Sequence, residues 1–202
     1  MKTAKFLLMG NQNVGKSTLL DTYLWKLKYG CAYHDHTEEQ VRYLIDVVDI
    51  NTIEELREHL RLNVVPRNIF FVCFNVTDRT TLTHARQIWI YELLKLRPNS
   101  KIFLVGLQCD LREQFVKKIT NDCVRYSDGI NISRYYESVH YMECSSNKVD
   151  SVRDLFDTAL KMVLYEKDLS GNDKIIEFYE KLPIQFKFKG CECKSVCDGN
   201  NC

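Results

Sequence analysis

Residues 10 to 18 read Gly10-Asn11-Gln12-Asn13-Val14-Gly15-Lys16-Ser17-Thr18. The spacing Gly-x4-Gly-Lys-Ser is that of a phosphate-binding loop when a strand precedes it and a helix follows. Successive backbone N–H groups of such a turn, with the N-terminus of the following helix, converge on the β-phosphate of a nucleotide. Lys16 would reach the β and γ oxygens, and Ser17 would offer its hydroxyl to Mg²⁺. The competing reading is a glycine turn with an incidental lysine. Context decides for the loop, because the apolar run Lys5–Met9 reads as a strand ahead of it and residues 15–28 read as a helix behind it.

The elements that must hold this loop alternate along the chain. Short apolar runs rich in β-branched or aromatic residues at Lys5–Met9, Val41–Val48, Asn68–Val76, Lys101–Leu107 and His140–Cys144 predict buried strands. Between them lie helical patterns at 15–28, from Thr52 to Leu62 behind a capping box of Thr52 and Glu55, and at Thr81–Leu96. A last helix over 151–166, with Ser151 as its cap, is predicted from Val152, Leu155, Phe156, Ala159, Leu160, Val163 and Leu164. Gly30 is the expected stop of the first helix. Strand–helix alternation builds a mostly parallel sheet covered on both faces.

With 202 residues, 45% hydrophobic and 27% charged, the chain can bury a real core as one domain. A net charge of +1 gives no global electrostatic case for nucleic acid or an anionic membrane. No apolar run approaches the ~18 residues of a membrane span, and the N-terminal run is too short for a signal peptide. Of the nine cysteines, Cys31, Cys73, Cys109, Cys123 and Cys144 are scattered as in a cytoplasmic protein, whereas Cys191, Cys193, Cys197 and Cys202 crowd the end.

From the loop onward the sequence resembles the Rho branch of the Ras-like small GTPases, over roughly residues 3–165. The likeness is carried by Phe71-Val-Cys-Phe-Asn-Val-Thr-Asp78, by Trp89 with Glu92 and Arg97-Pro98-Asn99, by Ile102-Phe-Leu-Val-Gly106, by Asp110-Leu-Arg and by Tyr141-Met-Glu-Cys-Ser145-Ser146. The resemblance implies an α/β P-loop fold: a six-stranded sheet, parallel but for one antiparallel edge strand, with helices on both faces. It implies a GTPase domain over 1–168 and an extension over 169–202. A shortened form of the Rho helical insert has room between Asp110 and Tyr141.

In that family guanine is read by an Asn-Lys-x-Asp motif, matched here by Leu107-Gln108-Cys109-Asp110. Asp110 keeps the carboxylate that accepts two N–H bonds from guanine and that adenine would leave unpaired. Gln108 can lay its stem against the base, and Ser145 and Ser146 match the loop behind it. Leu107 cannot supply the polar tie to the phosphate loop that Asn or Thr provides.

The hydrolytic motif of the family, Asp-x-x-Gly-Gln, falls on Asp46-Val-Val-Asp49-Ile50. Asp46 can bind Mg²⁺ through water beside Ser17. Ile50, where a Gln would orient the attacking water, has no polar atom, so no catalytic residue is assigned. Asp49 replaces the Gly that approaches the γ-phosphate. At ~5 Å and an effective dielectric of ~20 the two charges repel by roughly 3 kcal/mol, which disfavours GTP unless the loop swings away or metal screens the charge. Gln12 would obstruct an arginine finger worth ~10³–10⁵ in rate. The first switch segment is short; Thr37 could imitate the Mg²⁺-binding threonine of the family, but it lies only nine residues before Asp46, in a gap where the family needs a strand pair. His34 and His36 have a metal-like spacing, with solvated turn histidines as the plainer reading.

Beyond the family helices, Ile184, Phe186 and Phe188 alternate with polar residues, then the cysteine cluster closes the chain without a C-a-a-X box. S-acylation, a tetrathiolate zinc site and a disordered end with incidental thiols stay open for it. Taken together, the expectation is an atypical Rho-like signalling protein. It would be a monomer in the cytoplasm, with possible peripheral membrane attachment through its C-terminal cysteines. It would bind GTP or GDP with Mg²⁺, hydrolyse GTP weakly or not at all, and act through effector or regulator proteins. The alternative is a nucleotide-free pseudoGTPase scaffold.

Overall fold

The structure, a computed structural model, describes residues 2–29, 43–62, 68–112 and 122–165. Five strands form one sheet: β1 (Lys2–Met9), β2 (Tyr43–Ile50), β3 (Asn68–Asn75), β4 (Lys101–Leu107) and β5 (Val139–Cys144), in the order β2-β1-β3-β4-β5. All four described pairings are parallel. The antiparallel edge strand implied by the resemblance would fall on residues 30–42, outside the described residues, as do Gly30, Cys31, His34, His36, Thr37 and everything after Tyr165.

Parallel strands buried on both faces need apolar side chains at every position. In β1 Phe6 and Leu8 face one layer while Leu7 and Met9 face the other, and all four are fully buried. One layer joins Phe6, Phe71 and Phe103 to α1 (Lys16–Tyr29) and α6 (Val149–Tyr165). There the rings of Tyr23 and Phe156 stack with centroids 3.6 Å apart, and burial, helped by Asp157, pushes the Tyr23 hydroxyl above its ordinary pKa. The opposite layer gathers Leu7, Phe70, Val72, Phe74, Trp89 and Tyr141 beneath α2 (Ile53–Leu62) and the helices that follow.

The helix expected from Thr81 to Leu96 begins two residues earlier, because Asp78 caps it by accepting from Thr80 N. It runs as α3 (Arg79–His84), a π-helical turn (Ala85–Ile90) and α4 (Tyr91–Leu96). At α2 the capping box forms with a shift: Glu55 N donates to Thr52 Oγ1, while Glu55 Oε2 accepts from Asn51 N. Ser151 does not cap the last helix. It lies inside the first turn, where its Oγ accepts from Ser145 N at 3.2 Å. The β2 strand ends at Ile50 and not at Val48, because the ladder with β1 continues to the pair Met9 and Ile50.

A helix that the sequence pattern did not predict, α5 (Tyr126–Tyr135), crosses from β4 back to β5. Gly129 sits in its middle because the Tyr141 ring packs there, in the space a Cβ would need. The stretch between Asp110 and Tyr141 thus holds a crossover helix on the sheet; residues 113–121, where a Rho insert would lie, are outside the described residues. Below α5, Arg112 and Glu143 form a buried bidentate pair, with Nη1 donating to Oε2 at 2.8 Å and Nη2 to Oε1. Burial works against the Arg112 charge, but the hydrogen bonds and charge of Glu143 overcome it and raise the guanidinium pKa. Tyr141 donates its hydroxyl to the same carboxylate at 2.6 Å. Among the described residues no helix is long and apolar enough to cross a membrane.

Candidate functional site

The strand pairing brings Met9, Ile50, Asn75, Leu107 and Cys144 to one rim of the sheet. The segments after these ends, at Gly10, Asn51, Val76, Gln108 and Ser145, therefore share the carboxyl edge, where open α/β sheets bind ligands. The phosphate-type loop lies at its centre. Gly10 has φ 146° and Gly15 φ 106°. A Cβ on Gly10 would run into the carbonyl oxygen of Cys73, so the chain crosses β3 there only as glycine. Asn13 takes the left-handed conformation at φ 63°. Val14 is buried under the turn, whereas Gln12, Asn13, Ser17 and Thr18 are exposed at its mouth.

Lys16 is only 4% exposed. Its Nζ donates to Gly10 O and Asn11 O, both at 3.0 Å, which folds the lysine back over the loop. Asp49 comes from β2 to the same place. Its Oδ1 lies 3.8 Å from Lys16 Nζ, and its Oδ2 accepts from Ser17 Oγ at 3.5 Å. Oδ1 is buried without a hydrogen-bond partner, so its contact with Lys16 is electrostatic alone. Behind the loop the Asn11 side chain is fixed twice: Oδ1 accepts from Trp89 Nε1 at 3.2 Å, and Nδ2 meets His84 Nδ1 at 2.6 Å. Trp indole only donates, so this arrangement requires His84 Nδ1 to be the acceptor.

The second half of the rim is built by β4 and β5. Leu107 is buried in the core and gives no polar tie, as expected. Gln108 supplies one in its place: it turns left-handed at φ 62°, and its Nε2 donates to Val14 O at 3.5 Å. Cys109 is buried, and Asp110 points its carboxylate along the rim, where Oδ1 accepts from Ser145 Oγ at 2.8 Å and Oδ2 from Asn147 Nδ2 at 3.0 Å. The Ser146 carbonyl accepts from Thr22 Oγ1 at 3.2 Å, which ties this loop to α1. Thr22 also bonds Thr18 O.

The structure thus brings Gly10 to Thr18, Gln108, Asp110, Ser145 and Ser146 to one edge. Asp46 lies in β2 opposite Lys5, with its side chain outside the description. Ile50 is 2% exposed and belongs to the apolar cluster with Leu56 and Val76, so it faces away from the loop. Two residues and one bond at the site were not expected from sequence. Asn147, two positions past Ser145, could have been noticed as an amide in the base-side loop; His84 and the Asn11 bond of Trp89 leave no local signal. The Cys73 thiol beneath Gly10 has its pKa pushed up by burial, which makes it inert packing.

The sequence model of the Ras family matches residues 5–165. The Rho-related protein racM of Dictyostelium discoideum is 28% identical over 171 residues, covering 80% of this chain and 90% of the relative. The GTP-binding protein RHO2 of Saccharomyces cerevisiae is 28% identical over 179 residues, covering 83% and 92%. The GTP-binding protein rho3 of Schizosaccharomyces pombe is 27% identical over 172 residues, covering 79% and 82%.

Proposed function

Because the chain belongs to the Ras family, as a divergent Rho-like small GTP-binding protein, we propose that it holds a guanine nucleotide with little or no hydrolysis and signals through protein contacts. The phosphates would lie on the backbone N–H groups of Gly10 to Thr18, with Lys16 against their oxygens. The base would meet Asp110, whose carboxylate Ser145 and Asn147 hold in place with lone pairs to spare for two N–H donors. Gln108, bonded to Val14 O, would link the base side to the phosphate side.

The donors fit Mg²⁺. The exposed Ser17 hydroxyl stands 3.5 Å from the Asp49 carboxylate, whose Oδ1 accepts no hydrogen bond, so hard oxygens suited to this ion meet here. Ser17 would be its ligand, with Asp46 acting through water. When bound, the ion supplies neutralisation of phosphate charge.

Ile50 carries the case against hydrolysis. A water-orienting side chain must be polar and must face the γ-phosphate; this one is apolar and 2% exposed in the core. Gln12, exposed at the mouth of the loop, adds an obstacle to an inserted arginine. Contacts with effector or regulator proteins would then not be timed by a cycle, and acylation of the C-terminal cysteines would bring the protein to a membrane surface.

The test has two steps. Denaturing the purified protein and separating the supernatant by ion exchange releases a stoichiometric guanine nucleotide, and single-turnover hydrolysis with excess Mg²⁺ then runs far below an ordinary small GTPase. A normal rate refutes the hydrolysis claim. The second reading, a nucleotide-free scaffold, is favoured by the contacts of Asp49 with Lys16 and Ser17. An empty supernatant, with no thermal shift on adding GDP or GTP with Mg²⁺, selects it.

A further inference from the structure

Asp49 touches two groups, and both are groups that a third phosphate would use. Lys16 serves the β and γ oxygens, and Ser17 serves the metal that bridges them. The Asp49 carboxylate lies 3.8 Å from the first and accepts a hydrogen bond from the second. Its Oδ1 is fully enclosed with no hydrogen bond of its own, an acceptor aimed at the cradle.

The backbone beneath it explains why the carboxylate stays there. Asp49 is a ladder residue and not part of a loose turn: β2 pairs with β1 through Leu8 opposite Asp49 and Met9 opposite Ile50. Successive strand residues point to opposite faces. With Ile50 anchored in the core on the α2 side, Asp49 is directed to the α1 side, toward Lys16. At Asn51 the chain is tied again, its N–H bonded to Glu55 Oε2 at 2.8 Å. A loop could swing its carboxylate aside; a strand residue locked between Leu8 and a buried isoleucine has only its own rotamers.

We propose that Asp49 is a built-in substitute for the third phosphate, which makes the site select guanosine diphosphate over triphosphate. This rests on the guanine-nucleotide reading above. A diphosphate leaves the carboxylate in contact with Lys16 and the Ser17 side of the cradle, so the site's positive charge is balanced by two phosphates and one carboxylate. A triphosphate must displace Asp49 from both partners and then sit beside its charge.

Calorimetric titration of the nucleotide-stripped full chain with GDP and with a non-hydrolysable GTP analogue, each with Mg²⁺, tests this beside Asp49→Asn. Asparagine keeps the size and removes the charge. Wild type binds GDP more than tenfold tighter, about 1.4 kcal/mol. In D49N the preference shrinks to within about threefold through a gain in triphosphate affinity, with diphosphate affinity unchanged or lower. Equal affinities in wild type overturn the proposal, and so does D49N tightening both ligands alike, which would mean general repulsion. If wild type binds neither ligand while D49N binds the triphosphate, Asp49 is upheld and the nucleotide-bound reading of the wild type fails. Binding by neither chain overturns both.

Discussion

His84 and Trp89 stand five residues apart on one helix and reach the same side chain, Asn11 of the glycine loop. In an α-helix residues five apart point about 140° away from each other. The π-helical turn Ala85–Ile90 removes most of that angle, since its bonds run from i to i+5. The irregular turn is therefore what allows one helix to grip the loop with two residues.

Trp89→Phe keeps an aromatic ring in the core and deletes the donor to Asn11 Oδ1 together with part of the buried indole surface. The hydrogen bond alone accounts for about 1 kcal/mol of the loss, or a fall of roughly 2–4 °C in the thermal midpoint for a domain of this size. Calorimetry checks it. No change would mean that the Asn11 contact contributes nothing to holding the loop.

The Arg112–Glu143 pair gives a larger effect. Glu143→Gln leaves a buried guanidinium without its counter-charge and also disturbs the acceptor of Tyr141. Breaking such a pair costs about 3–5 kcal/mol, whereas replacing both partners by apolar residues is often close to neutral. The single variant should lose several times more stability in urea titration than Trp89→Phe does. The double variant Arg112→Met with Glu143→Leu should recover part of the loss, because it removes both charges but leaves the Tyr141 hydroxyl without its acceptor.

How much of this could be read in advance depended on how local each cause is. The phosphate loop was legible because one contiguous stretch sets its geometry, and the strands were legible because two-sided burial leaves uninterrupted apolar runs such as Asn68 to Val76. The end of β2 was not, since it is decided by pairing with Met9, a residue distant in sequence. Helix α5 was hidden by Gly129, which breaks the helical pattern for the sake of a ring on β5. Leu107 correctly signalled a lost polar tie, but the compensating bond of Gln108 depends on a left-handed turn that residue type does not announce. Asp49 is legible in the sequence as an intruding charge. Its fixed position follows only from the strand ladder.

His140 on β5 predicts a pH dependence of stability. Burial, with a further contribution from the Lys101 charge, lowers its pKa in the folded chain. The folded state thus holds fewer protons than the unfolded state, whose histidine titrates at about 6.5. Its contribution is complete above that value and is lost as pH falls below it toward the depressed pKa. Wild type should therefore lose more thermal stability between pH 7.5 and 5.5 than His140→Gln, and parallel profiles would refute the assignment.

Helix α2 bears on whether a nucleotide switch survives. In the family, the γ-phosphate orders the switch segments. Here α2 is held by contacts of its own chain. Thr52 and Glu55 close its first turn, Leu56 and Leu60 are buried, and Arg57 pairs with Glu92 of α4 at 2.9 Å. The Arg57 hydrogen bond is the first cause of the lowered Glu92 pKa. At the other end, Arg97 Nη2 donates to Leu60 O at 3.1 Å. A helix already satisfied at both ends gains little from a third phosphate, and a partner that finds the same surface in both forms shifts neither. Amide exchange over Ile53–Leu62 should then agree within about twofold between the GDP-loaded chain and one loaded with a non-hydrolysable GTP analogue, and partners should bind both forms within tenfold, about 1.4 kcal/mol. Slowing of these amides by more than tenfold with the triphosphate would show that α2 still reads the γ-phosphate, and that its caps do not set its order.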